Sequence, residues 1–159
     1  MFVSAVTGLF EGVISELAII VSFQSLILGM AGNVGTQSLA VTIRVLMDEN
    51  LKSTQKIQLM LKEIRVGLRN GFLLGTISFV FIGFYVWLFK GYELMFSFAI
   101  SGCVGLALLI AMLISSFVGT LVPMFFHKMK IDPAVASGPL ITTINDLVAV
   151  VSYYGLAWL

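Results

Sequence analysis

Charged residues divide this chain into long apolar stretches. Runs without an ionisable acid or base cover residues 1–10, 17–43, 70–89, 94–126 and 133–159, the last interrupted only by Asp146. A helix needs about 20 apolar residues to cross a hydrocarbon layer, and four of the five runs are long enough. The fourth, with 33 residues, is expected to tilt or to project beyond the bilayer toward Pro123. The first covers half a span, as though the chain begins inside a helix whose cytoplasmic half is missing. The pattern predicts an all-α polytopic membrane protein with one transmembrane domain over 1–159. Its spans fall near 1–12, 17–45, 66–89, 94–126 and 133–158, with a cytoplasmic interfacial linker at 46–65.

Within 56–69, apolar Ile57, Met60, Leu61, Ile64 and Leu68 recur at helical spacing with basic side chains between them. Such a segment lies along the inner interface before the third span begins. Gly67, Gly71 and Gly75 then recur every four residues and let another helix come close. Eight of the nine basic residues (Arg44, Lys52, Lys56, Lys62, Arg65, Arg69, Lys128 and Lys130) belong to connectors on one side. Lys90, with Glu11, Glu16 and Glu93, marks the other. Because basic loops stay inside, the amino end is expected in the cytoplasm and the carboxyl end outside, in a multi-pass protein of the plasma membrane. Tyr85, Trp87, Tyr92, Tyr153, Tyr154 and Trp158 gather toward the outer ends, where interfacial aromatics set depth.

Composition sharpens this picture. Only 11% of the residues are charged, and mean hydropathy is +1.07, whereas soluble domains carry roughly 25% charged residues. A net charge of +1 offers no basic excess for a phosphate backbone, so nucleic acid is not an expected partner. One cysteine, Cys103, and one histidine, His127, cannot build a Cys/His metal centre within one chain. With His127 in a loop, no buried Ser or Cys has a visible base, and no enzyme is expected. Asp48 and Glu49 read as a solvated loop, and Asp132 with Pro133 as the cap and first turn of the last helix.

Asp146 stands near the centre of the last run, too deep for its short side chain to reach water at either end. An ionisable group at that depth costs at least about 2.5 kcal/mol and belongs to a cavity or a partner. Thr143, Thr142 and Pro139 precede it by three, four and seven residues and share its helix face. Pro139 cannot donate to the preceding turn, and Gly138 loosens the same turn. Carbonyls, hydroxyls and one carboxylate are all oxygen donors, the kind hard cations such as Mg2+ take. The second polar segment, 30–44, reads MAGNVGTQSLAVTIR. Gly29, Gly32 and Gly35 recur every third residue there, with Asn33 and Gln37 four apart, so this helix is expected to be broken or tightly packed.

The pairing of AGNVGTQSLAVTIR with DPAVASGPLITTINDLVAVVSYY resembles the membrane domain of the MgtE family of Mg2+ transporters, whose relatives include vertebrate solute carriers of the same type. LFEG, at 9–12, is similar to the outer end of that family's first span, and the likeness covers essentially the whole chain. It implies a homodimer of five-span subunits whose pore, lined by the second and fifth spans, lies at the subunit interface. Transported Mg2+, with Mn2+ or Co2+ as alternative divalent cations, would be held by Asp146, with Asn33, Gly29 and Gly32 contributing from the second span and Thr142 and Gly138 from the fifth. Gln37, Thr143, Pro139 and Asn145 would line the pore. The family also implies cytosolic sensor domains in the full-length protein, which this sequence does not include. Two rival readings keep the same residues: a proton-coupled carrier in which Asp146 titrates, and a noncatalytic assembly subunit held together by its glycine stripes. With the dimer that the resemblance implies, the expectation is a largely hydrated Mg2+ between two facing Asp146 carboxylates, with Glu11 or Glu16 drawing cations to the outer mouth.

Overall fold

The computed structural model describes residues 2–16, 18–48 and 52–158. Met1, Leu17, Glu49 and Leu159, and the side chain of Glu16, lie outside the described residues. Among the described residues six helices follow one another: α1 (Phe2–Gly8), α2 (Glu11–Glu16), α3 (Ala18–Leu46), α4 (Ser53–Lys90), α5 (Leu94–Lys128) and α6 (Pro133–Trp158). Among the described residues no strand occurs, and α3, α4, α5 and α6 each contain a segment long and apolar enough to cross a membrane. The first expected span is represented by α1, only seven residues long, and a turn leads from it into α2.

Two boundaries differ from the sequence pattern. The 38-residue α4 runs unbroken through the expected interfacial linker and the third span. At about 1.5 Å rise per residue it is nearly twice as long as a bilayer core of about 30 Å is thick. It begins where the Lys52 N–H donates to the Gln55 side chain at 2.8 Å and ends at Gly91, whose φ of 72° requires a glycine-like conformation. Its exposed Ile57, Leu61 and Leu68 are not its packing face; the buried stripe is Leu59, Glu63, Gly67, Gly71 and Gly75. The second difference is that α3 does not break at its glycines. Each glycine costs about 1 kcal/mol against alanine in a helix, but unpaired backbone groups in hydrocarbon cost several. The helical ladder therefore persists.

The central helix is α5, which packs against α3, α4 and α6. On the α4 side the contact is backbone against backbone. A Cβ on Gly71 would meet Leu109 Cα at 2.9 Å, and one on Gly75 would meet the Gly105 carbonyl at 2.7 Å. Elsewhere in the bundle, α6 is tied to α3 by two phenols. Tyr153 donates to the Ile20 carbonyl and Tyr154 to Gln24 Oε1, each at 2.8 Å. Both tyrosines are fully buried, and Phe10 stacks on Tyr154 with ring centres 5.7 Å apart. They are internal ties, which corrects their reading as interfacial anchors: a phenol amid hydrocarbon needs a hydrogen-bond acceptor, and α3 supplies one to each. Tyr85, Trp87, Tyr92 and Trp158 do face outward.

Candidate functional site

The last helix starts as its sequence dictates. Asp132 accepts a hydrogen bond from the Ala134 N–H at 2.9 Å, and Pro133 occupies the first turn, where a missing N–H costs nothing. The helix then continues through Pro139. One turn later the Thr142 hydroxyl donates to the Gly138 carbonyl at 3.1 Å and the Thr143 hydroxyl to the Pro139 carbonyl at 2.9 Å. With their protons committed to the helix, both hydroxyl oxygens keep lone pairs for an outside donor or cation.

Helical spacing then separates two faces of α6. Ile141, Asn145, Ala149 and Val150 point into the bundle, while Thr142 and Thr143 are exposed and Asp146 is half-buried. Across from them, Ala31, Val34, Gly35 and Ser38 of α3 are buried, and Gly29, Asn33, Thr36 and Gln37 are exposed. The two polar faces meet along a cleft of about 430 Å³ lined by Leu28, Gly29, Gly32, Asn33, Thr36, Thr142 and Asp146. Five of the residues expected to hold a cation (Asp146, Thr142, Asn33, Gly29 and Gly32) thus border one opening. Nothing lies within 4 Å of a Cβ built on Gly29 or Gly32, so these glycines leave space and do not seat a neighbouring helix.

Five expected residues stand elsewhere. Gly138 is half-buried and lies one turn away from the cleft lining, with its carbonyl taken by Thr142. Pro139, Thr143 and Gln37 are exposed on the same side of the molecule but outside the cleft wall. Asn145 departs furthest from the pore-lining expectation. It is fully buried and pressed against the Cα of Gly35, and among the described residues neither atom of its amide has a hydrogen-bond partner. Helical geometry explains this, because adjacent residues are about 100° apart around the axis. If Asp146 faces out, Asn145 faces in.

The structure also adds a residue. Thr36 lines the cleft, and its hydroxyl lies 2.9 Å from the Gly32 carbonyl and 3.1 Å from that of Asn33. It was legible in MAGNVGTQ as the position four after Gly32 and three after Asn33, the spacing that continues one face. Gln37, four after Asn33, turns too far around. Among the described residues no three His, Cys, Asp or Glu side chains cluster. Within one chain the cleft therefore offers one carboxylate, amide and hydroxyl oxygens, and an open side. Such a set suits a cation that keeps most of its water. A polar face of this kind is tolerated at membrane depth only against protein or water.

Comparison with known proteins agrees with the residues. Positions 24–156 match the MgtE family model, described as divalent cation transporter. The magnesium transporter MgtE of Enterococcus faecalis is 40% identical over 148 residues, covering 93% of this chain and 31% of its own length. The magnesium transporter MgtE of Bacillus subtilis is 33% identical, covering 99% of this chain and 34% of its own. That of Thermus thermophilus is 30% identical, with 99% and 33% covered. The chain thus spans about a third of the length of the curated relatives it matches.

Proposed function

Since the chain belongs to the MgtE family of divalent cation transporters, we propose that the α3–α6 cleft is one half of a Mg2+ pathway through a cell membrane. Two copies meet across their uncovered polar faces, and the two Asp146 carboxylates, with a combined charge of −2, balance one dication. The observation that carries this reading is the cleft itself: Asp146 borders the same opening as Asn33, Gly29, Gly32, Thr36 and Thr142, on a face the chain's own atoms leave uncovered.

Mg2+ sheds its water reluctantly, and a site with few protein ligands matches an ion bound through its hydration shell. Selection then rests on the size and geometry of the hydrated ion, and the open glycines at 29 and 32 make room for it. The basic connectors support an amino end in the cytoplasm of a bacterial cell, and the family likeness supports cytosolic sensor domains in the full-length protein. The test is Mg2+ flux by the purified chain in liposomes. Asp146→Ala should abolish flux while the dimer stays intact; wild-type flux in that variant would remove the proposal. Flux that follows an imposed pH gradient and is lost in Asp146→Asn would favour the proton-coupled carrier instead.

A further inference from the structure

Glu63 is 4% exposed, and the buried stripe of α4 explains how it became so. Gly67 packs against Ser116 and Gly75 against Gly105, so the two helices run antiparallel, and the preceding turn of α4 brings Glu63 level with Gly119 and Thr120 of α5. Gly119 has no side chain to fill that level. A Cβ there would strike the Gly35 carbonyl and come within 3.1 Å of Ser38 Cβ. Where α5 and α3 approach this closely, α4 also reaches α3: the Ser38 hydroxyl donates to Glu63 Oε2 at 2.9 Å. The two helices otherwise scarcely touch.

Ser38 is itself buried, and the Thr42 hydroxyl donates to the Ser38 carbonyl at 2.7 Å. On α3 it lies two residues after Thr36 and five after Asn33, on the face turned away from the cleft. A bond at this point fixes how far α3 is rotated and how deep it sits. Those two coordinates decide whether the Asn33 and Thr36 oxygens stand across from Asp146. A side chain that interior hydrocarbon would otherwise reject is retained where its acceptor atoms do something apolar atoms cannot.

We propose that Glu63 is a positioning residue for ion recognition, acting through Ser38 to hold α3 in the register that completes the cleft. The inference rests on the cleft being the Mg2+ site. Its test uses the whole chain in liposomes, with half-saturating Mg2+, maximal flux and Mg2+-over-Co2+ preference read for Glu63→Gln, Glu63→Leu and Ser38→Ala, and thermal unfolding followed alongside. A glutamine oxygen accepts the same hydrogen bond, so Glu63→Gln should stay close to wild type. Loss of a hydrogen bond to a carboxylate corresponds to about tenfold to a hundredfold, and Glu63→Leu and Ser38→Ala should each raise half-saturating Mg2+ by a factor in that range and weaken the preference over Co2+. The double variant should be no worse than either alone.

A merely structural role would lower the unfolding temperature and leave half-saturation and ion preference unchanged, and that result overturns the proposal. So does a Glu63→Gln variant as impaired as Glu63→Leu, because it would assign the effect to charge. If Glu63→Leu does not fold, Ser38→Ala, which removes one hydroxyl, decides the matter. Wild-type flux in Asp146→Ala would strike the underlying reading separately.

Discussion

Two glycine-rich helix pairs in this chain look alike in sequence and do opposite things. In the α4–α5 seam, Gly71 and Gly75 bring backbones together until a Cβ would meet Leu109 or Gly105 within 3 Å. In the α3–α6 cleft, Gly29 and Gly32 have nothing within 4 Å of that position. The seam is apolar: beside it lies a groove of about 300 Å³ lined mainly by glycine, phenylalanine and leucine, where the Thr76 hydroxyl is committed to the Phe72 carbonyl at 2.8 Å. The cleft has a carboxylate, an amide and hydroxyl oxygens at its edge. Glycine permits both close approach and open space, and the neighbouring side chains decide which of the two results.

Substitutions that add side-chain carbons at these glycines would break or sharpen this contrast. The largest effect is expected at Gly75→Leu, where overpacking against the Gly105 backbone costs about 3 kcal/mol and should show as a large fall in unfolding temperature in detergent. Gly35→Ala is intermediate. Gly35 belongs to the same GxxGxxG run as Gly29 and Gly32, yet its new methyl would collide with the buried Asn145 amide. A cost of about 1 to 2 kcal/mol is expected, and an unchanged unfolding temperature would place Gly35 with the open glycines. Gly29→Ala, with open space at its Cβ, is expected to stabilise the helix by up to about 1 kcal/mol. The added methyl instead enters the cleft, so Mg2+ flux should drop although the fold is untouched. Equal destabilisation by Gly29→Ala and Gly35→Ala would erase the distinction.

Much of this arrangement was legible from composition and spacing. The apolar runs marked the membrane helices because hydrocarbon thickness sets a length, and Asp146 stood out because no other acid interrupts the last run. The Thr142–Asp146 stripe followed from helical periodicity. Periodicity also placed Asn145 on the inner face, a consequence the pore-lining expectation overlooked. Glu63 was obscured for a different reason. Among Lys56, Lys62, Arg65 and Arg69 it resembled one more interfacial charge, although it lies one turn before Gly67 on the stripe that α5 covers. Tyr153 and Tyr154 occupy positions toward a helix end, where aromatics commonly meet lipid headgroups. Only the packing of α6 on α3 reveals that both are interior. Whether a polar or aromatic residue faces lipid, water or protein depends on which helices are neighbours, and a single chain's spacing does not encode that pairing directly.

The central claim is that Asp146 holds the cation in the cleft, and calorimetric titration of the purified chain with Mg2+ tests it most directly. Wild-type protein should bind Mg2+, whereas Asp146→Asn, close to it in shape but uncharged, should lose that binding with its fold intact. Unchanged Mg2+ binding in the Asn variant would contradict the account.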